Sequence, residues 1–278
     1  MTHTPPRIET PPYPSSSRWL LEISFDGTNY SGWQYQHHCI SVQEVLQKHL
    51  SNIFADLPIN LTGSSRTDAG VHALGMAASF AVPDRPSIES DKLLRAMNRM
   101  LPPDIRIRKI KTVPMEFNPR FDSLGKAYTY VLNLGRETPF STRYSWYRYR
   151  RLDIDAMREA AAHLVGTHDF SSFVVERSKI DDAVRTIYRI EFEQIGNFLC
   201  ISFVGNGFLY KMIRCLVGLL ESVGAGLRSP ADALRVLEAR DRSQSAETAP
   251  PHGLFLMKVF FEEAPRNSWK LKNVPFFI

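Results

Sequence analysis

From Trp19 to Ile107 the apolar pattern switches between period two and helical spacing, in the order strand, helix, strand, strand, helix, strand. That order constrains the fold more than any other feature. Side chains alternate across a strand but recur every three to four positions on a helix, so each period admits one kind of element. Trp19, Leu21, Ile23 and Phe25 alternate with Leu20, Glu22 and Ser24, and Asp26-Gly27-Thr28-Asn29 breaks the run. Ser41 and Glu44 have capping-box spacing. Val42, Val45, Leu46, His49, Leu50, Ile53 and Phe54 follow at helical spacing. Strands are expected over roughly 59–63 and 72–81. A helix is expected from Ser90, ended by Pro102-Pro103, and then a strand in which Ile105 and Ile107 alternate with Arg106 and Arg108. This is the β-α-β-β-α-β split unit of ferredoxin-like folds.

The second half repeats the order of elements loosely, without a sequence repeat. Tyr128 to Leu134 and Tyr144 to Arg150 read as strands, and a helix follows from about Asp153. Residues 185–195 and 198–204 read as a hairpin across Gly196-Asn197. Leu209 to Val223 reads as an apolar helix, Pro230 opens another that ends near Arg240, and Leu254 to Phe261 is the closing strand. At 278 residues the chain can bury one large core or two small ones. The expectation is an α+β protein of two ferredoxin-like (RRM-like) halves joined into a mixed, mostly antiparallel sheet flanked by helices. Residues 1–18 would be a disordered leader, 19–114 the N-terminal α/β domain, 115–265 the C-terminal one and 266–278 a tail. Two such halves would leave a cleft suited to a ligand.

Charge and cysteine usage narrow the partner and the compartment. The net charge of +5 is compatible with a polyanion. Basic residues cluster at Arg95, Arg99, Arg106, Arg108, Lys109 and Lys111, and in Tyr144-Ser145-Trp146-Tyr147-Arg148-Tyr149-Arg150, where rings alternate with cations. Such a run suits a nucleic-acid surface or equally a solvated strand face. The three cysteines, Cys39, Cys200 and Cys215, are an odd set without a CxxC pair, the pattern of a reducing compartment. His37-His38-Cys39 lacks a second ligand pair at zinc-finger spacing, so no metal site is expected. The Pro-, Ser- and Thr-rich start has no apolar core of a signal peptide, and no run reaches the ~20 apolar residues that span a bilayer. A cytoplasmic protein without membrane association is expected.

The run Arg66-Thr67-Asp68-Ala69-Gly70-Val71-His72-Ala73 carries the chemistry. Asp68 stands on a turn between two strand-like segments, because Gly70 allows a positive φ at no steric cost. A carboxylate presented there beside Arg66 is a candidate nucleophile or general base, held ionised by a cation. It is also a residue type that caps its own backbone in turns.

Six segments in order decide between these readings by resemblance. They are the octapeptide, the run from Phe25-Asp26-Gly27 to Gly32-Trp33-Gln34, Phe117-Asn118-Pro119-Arg120-Phe121 with Lys126-Ala127-Tyr128-Thr129-Tyr130, Gly166-Thr167-His168-Asp169-Phe170, Gly207-Phe208-Leu209-Tyr210-Lys211-Met212-Ile213-Arg214, and Ala249-Pro250-Pro251-His252-Gly253-Leu254. Together they resemble the TruA-type tRNA pseudouridine synthase family over roughly residues 19–262. Ser64-Ser65 departs from the small Ala-Gly pair more usual in that family. The resemblance implies the pseudouridine synthase fold, with Asp68 as the catalytic carboxylate and Arg214 as its cationic partner. Tyr128 would stack on the extruded uracil and help remove a proton, with Leu254 beneath the base and Arg66 in substrate binding. It further implies tRNA as partner, uridines 38 to 40 of the anticodon stem-loop as substrate, a homodimer, and no cofactor. Read from the residues alone, Arg214 is equally a cation flanking a core helix, and Tyr128 and Leu254 equally core residues. His72 and His168 read as structural. A non-catalytic RNA-binding protein and a carboxylate-dependent uracil glycosidase are the competing functions.

Overall fold

The computed structural model describes residues 10–175 and 182–277. These residues form two compact units. Unit 1 comprises Met1–Ser123 with Leu256–Phe261, and unit 2 comprises Leu124–Phe255 with Glu262–Ile278.

Unit 1 contains β1 (Ser17–Phe25), α1 (Val42–Ile53), β2 (Thr62–Gly63), β3 (His72–Val82), α2 (Ser90–Met100) and β4 (Ile105–Val113). Its strands lie in the order β4-β1-β3, with β2 also on β3, and β1 is antiparallel to both its neighbours. This is the strand order of the expected split unit. The alternation read in β1 reappears as Leu21, Ile23 and Phe25 buried in the core. The capping box forms as expected: Glu44 N–H donates to Ser41 Oγ at 3.2 Å, a contribution of about 1 kcal/mol. Leu46 and Leu50 are its fully buried inner face. The α2 helix ends at Met100, ahead of the two prolines.

The expected strand over 59–63 is only Thr62–Gly63. Side chains of α1 take the backbone groups that a longer ladder would use. Gln43 Nε2 donates to Leu61 O at 2.7 Å, and Leu61 N–H donates to Gln47 Oε1 at 3.3 Å. Of the expected leader, residues 1–9 lie outside the described residues. Tyr13 is buried and its hydroxyl donates to Ala81 O at 2.9 Å, while Ser17 and Arg18 already belong to β1. Unit 1 also extends past residue 114. Arg18 Nε donates to Met115 O at 2.8 Å, and Phe117 packs on Phe261 with ring centroids 5.2 Å apart.

Unit 2 contains β5 (Gly125–Asn133), α3 (Pro139–Thr142), β6 (Trp146–Tyr147), α4 (Ile154–Ala162), β7 (Gly166–Asp169), β8 (Val184–Ile195), β9 (Phe198–Gly205), α5 (Met212–Gly224) and α6 (Asp232–Ala239). The strand β10 (Leu254–Phe260) begins in unit 2 and ends in unit 1, where it lies beside β3. After it comes α7 (Glu263–Ser268). The order β5-β9-β8-β7 is antiparallel throughout, and the hairpin turns at Gly196 with φ 58° as expected. The strand β6 runs parallel to its neighbour β5.

Three expectations change in this unit. The strand over 144–150 shrinks to β6. Arg148 turns out of it to pair with Glu221, buried on α5, and to lie 4.6 Å over the Trp146 ring. The neighbouring Tyr149, Arg150 and Arg151 stay exposed. The apolar helix begins at Met212 rather than Leu209, because Lys211 adopts a left-handed conformation with φ 59°. Tyr210 is therefore outside the helix and does not stand one turn before Arg214. Finally, the expected tail is partly helical in α7, and Phe276 packs against Tyr144, Phe198 and Phe255.

Candidate active site

In unit 1 the turn carrying Asp68 is built mainly by backbone contacts. Ser64 N–H donates to Ala77 O at 2.8 Å, where the chain leaves β2. Trp33 N–H donates to Thr67 O at 3.2 Å, Gly70 N–H to Tyr30 O at 3.4 Å, and Val71 N–H to Asp68 O at 3.1 Å. The run after β1 thus grips the turn on both sides of Asp68. Two glycines allow the approach. Gly32 sits at φ 89°, and a Cβ there would lie 2.3 Å from Thr67 O. Gly27 is so close that a Cβ would lie 2.0 Å from Val71 O. Trp33 is buried beneath, stacked on Phe25 at 6.2 Å. Tyr30 anchors the same run through its hydroxyl, which donates to Asp104 Oδ1 at 2.6 Å. Burial, then the hydrogen bond and charge of Asp104, push its phenol well above the ordinary range.

His72 is buried at the start of β3. Its Nδ1 lies 3.1 Å from Gly27 N and 3.0 Å from Asp26 Oδ1, so it ties the first-strand loop to β3, as the structural reading expected. Asp68 is half-buried and Arg66 exposed. Arg66 is near enough to Arg120 for its charge to push the Arg120 guanidinium below its usual range, after burial as the larger cause.

In unit 2 the geometry depends on side chains. Tyr128 and Tyr130 lie two apart on β5 and share one face. Tyr128 is buried, and its ring meets Phe208 edge-on at 5.4 Å. Tyr130 is fully buried, and its hydroxyl donates to Pro250 O at 2.8 Å. Burial pushes its phenol well up, against the opposing charges of Arg214 and Arg148. Arg214, in the first turn of α5, is half-buried and falls off the apolar stripe as expected. Its Nε donates to Ala249 O at 2.7 Å, and Ala249 N–H returns a bond to Arg214 O at 3.1 Å. A Cβ on Gly253 would meet the Tyr130 ring at 2.7 Å, so the ring lies flush on the residue before Leu254. Leu254 itself is buried at the start of β10.

Within unit 1, then, the structure holds Asp68 and Arg66 on one turn. Within unit 2 it ties Arg214 and the segment leading to Leu254 to the face of β5 that carries Tyr128. Sequence reasoning missed Tyr130, which stands in a quoted motif and binds the 249–254 segment. Its signal was the second tyrosine of an alternating pair. His168 bonds Val165 O at 3.0 Å and packs on Phe170, a structural place. Among the described residues no group of three or more His, Cys, Asp or Glu side chains could hold a metal, and no helix is long and apolar enough to cross a membrane.

Comparison with known proteins gives this geometry its context. A family model described as tRNA pseudouridine synthase matches residues 23–122 and 160–262. The tRNA pseudouridine synthase A of Exiguobacterium sibiricum is 43% identical over 249 residues, covering 90% of this chain and 98% of that protein. That of Francisella tularensis subsp. tularensis is 41% identical over 261 residues, covering 93% and 98%. The matched regions contain Asp68, Arg66, Arg214 and Leu254. The chain belongs to the tRNA pseudouridine synthase family, isomerases that convert uridine to pseudouridine in tRNA.

Proposed function

We propose that Asp68 is the reacting carboxylate of this isomerase and that the uridines at positions 38 to 40 of the anticodon stem-loop are its substrates. The reaction breaks the bond from C1′ of the ribose to N1 of uracil and joins C1′ to C5. The proton on C5 leaves, and N1 gains one, so atoms balance without a redox partner or cofactor. Asp68 attacks the sugar or the base, or assists departure of the base. Arg214 is the cation that the family pattern pairs with the carboxylate. The Tyr128 ring stacks on an extruded uracil, and its hydroxyl assists loss of the C5 proton. Leu254 supports the base, and Arg66 contacts the RNA. A cytoplasmic homodimer, with one tRNA touching both subunits, completes the reading.

One observation carries it: the backbone on either side of Asp68 is clamped by Tyr30 and Trp33, with glycine at the tightest approach. A turn needing only to change direction does not require such a clamp, whereas a reacting group must be held in a productive geometry. Asp68→Asn keeps the shape and removes the charge. It is expected to fold, to bind tRNA and to form pseudouridine more than about 1,000-fold slower in a single turnover. A rate near that of the wild type would remove Asp68 from the chemistry. Mapping pseudouridine in tRNA from cells with and without the protein tests the positions.

A further inference from the structure

The Phe117–Phe121 motif has no role in the chemistry proposed above, although its Arg120 feels the charge of Arg66. In unit 1 it borders a cavity of about 280 Å³, just below the roughly 300–1,000 Å³ of common ligand pockets. Among the described residues the cavity is lined by Arg18 and Arg120 together with Asn60, Thr62, Asn118 and Phe121, and by no carboxylate. Arg18 is only 4% exposed. Its Nε donates to Met115 O and its Nη1 to Ser79 Oγ at 3.3 Å, both uncharged acceptors. Among the described residues it has no ion pair with an acidic side chain. Burial pushes its guanidinium below the ordinary range, against a smaller opposing contribution from the Tyr13 hydroxyl. Arg120 is exposed as a residue, and partial burial of its guanidinium, then the charge of Arg66, push it below its usual range.

A buried charge is expensive unless it is paired. Here two guanidinium groups line one hollow, and a third cation stands close to one of them. A bound anion would offset the charge of Arg18 and Arg120 there. Guanidinium forks match the oxygens of phosphate, and neighbouring amide and hydroxyl groups add hydrogen-bonding capacity. Phe121 is 44% exposed, with Arg120 5.3 Å from its ring centroid, so an apolar ring borders the charge. Cation and ring side by side suit a nucleotide rather than a bare ion. Arg66, whose charge Arg120 feels, stands two residues from Asp68.

We propose that this cavity is a phosphate site for the tRNA backbone, with Arg18 and Arg120 as its paired cations. The proposal rests on tRNA being the substrate and not on the roles of Asp68, Tyr128 or Arg214. Arg120 is exposed, so Arg120→Gln leaves the fold intact. This variant should bind tRNA about tenfold more weakly at fixed salt. The slope of log affinity against log salt should become shallower by roughly 0.7–0.9, the loss of one phosphate contact. The same loss of slope should appear when Arg120→Gln is placed on the Asp68→Asn protein, so failure of the catalytic assignment leaves this result standing. A salt slope equal to that of the wild type would overturn the proposal. So would an unchanged slope with a thermal stabilisation by inorganic phosphate that Arg120→Gln abolishes, since the cavity would then hold a small free anion instead of RNA.

Discussion

The Asp68 turn in unit 1 and the Arg214–Leu254 region in unit 2 are held by different means. Around Asp68 the bonds run from backbone to backbone, and glycines let the strands of chain touch. Around Arg214 one backbone bond, from Ala249 N–H to Arg214 O, is joined by two from side chains: the Tyr130 hydroxyl on Pro250 O and the Arg214 guanidinium on Ala249 O. A backbone clamp tolerates most side-chain changes but not an added Cβ at its tightest point. A side-chain clamp fails when one polar atom is removed. The two regions should therefore break under opposite kinds of substitution, and each prediction below tests one side of that contrast.

The largest effect after Asp68→Asn is expected for Arg214→Lys. Lysine keeps the charge but loses the planar fork and the bond from Nε to Ala249 O. Turnover should fall about 100-fold, the scale of a misplacement of roughly 1 Å, with a smaller change in tRNA affinity. Near-normal turnover would show that charge alone suffices and that the side-chain clamp is dispensable.

Gly32→Ala comes next. The residue would have to adopt φ 89° with its Cβ 2.3 Å from Thr67 O. The strain is of order 1–3 kcal/mol, so the melting temperature should drop by several degrees. The single-turnover rate should fall by about tenfold in the molecules that remain folded, because the backbone that carries Asp68 is displaced. An unchanged rate would mean that the Trp33–Thr67 contact stabilises the unit without positioning Asp68.

The smallest effect is expected for Tyr130→Phe. The ring stays on Gly253, while Pro250 O loses its donor, at a cost of about 1–3 kcal/mol. Turnover should fall by a few-fold with little change in tRNA affinity, and His or Gln at this place should not restore it. The phenol is raised in the folded state, so its neutral form contributes stability that is fully present below the unfolded value of about 10. That contribution is lost as pH rises through the folded value. Stability of the wild type should therefore decline above about pH 10 more steeply than that of Tyr130→Phe. Parallel declines would show that the hydroxyl is not buried as described.

What was legible in the sequence was local. The alternation of Trp19 to Phe25 produced β1 because each apolar residue faces a core with no reference to its partner. The Ser41–Glu44 box began α1, Pro102 ended α2, and Gly196-Asn197 turned the hairpin, because capping and turn chemistry act within four or five residues. The six motifs placed Asp68, Arg66, Tyr128, Arg214 and Leu254 in one family pattern, and the family is shown by its relatives.

The tertiary structure decided whatever depends on a distant partner. β2 is short because Gln43 and Gln47 of α1 claim the backbone of Leu61. The strand expected over 144–150 contracts because Arg148 is drawn to Glu221 on α5. The apolar run from Leu209 becomes a helix only after Lys211, whose left-handed φ no periodicity reveals. Arg18 falls in the expected disordered leader in sequence, yet it is buried, with its guanidinium donating to Met115 O and Ser79 Oγ. Periodicity and capping are set by bonds and contacts within a few residues, so a linear sequence displays them. Which donor meets which acceptor across 60 or more residues is set by the competition among all such pairs in the folded chain, and only the packed structure resolves it.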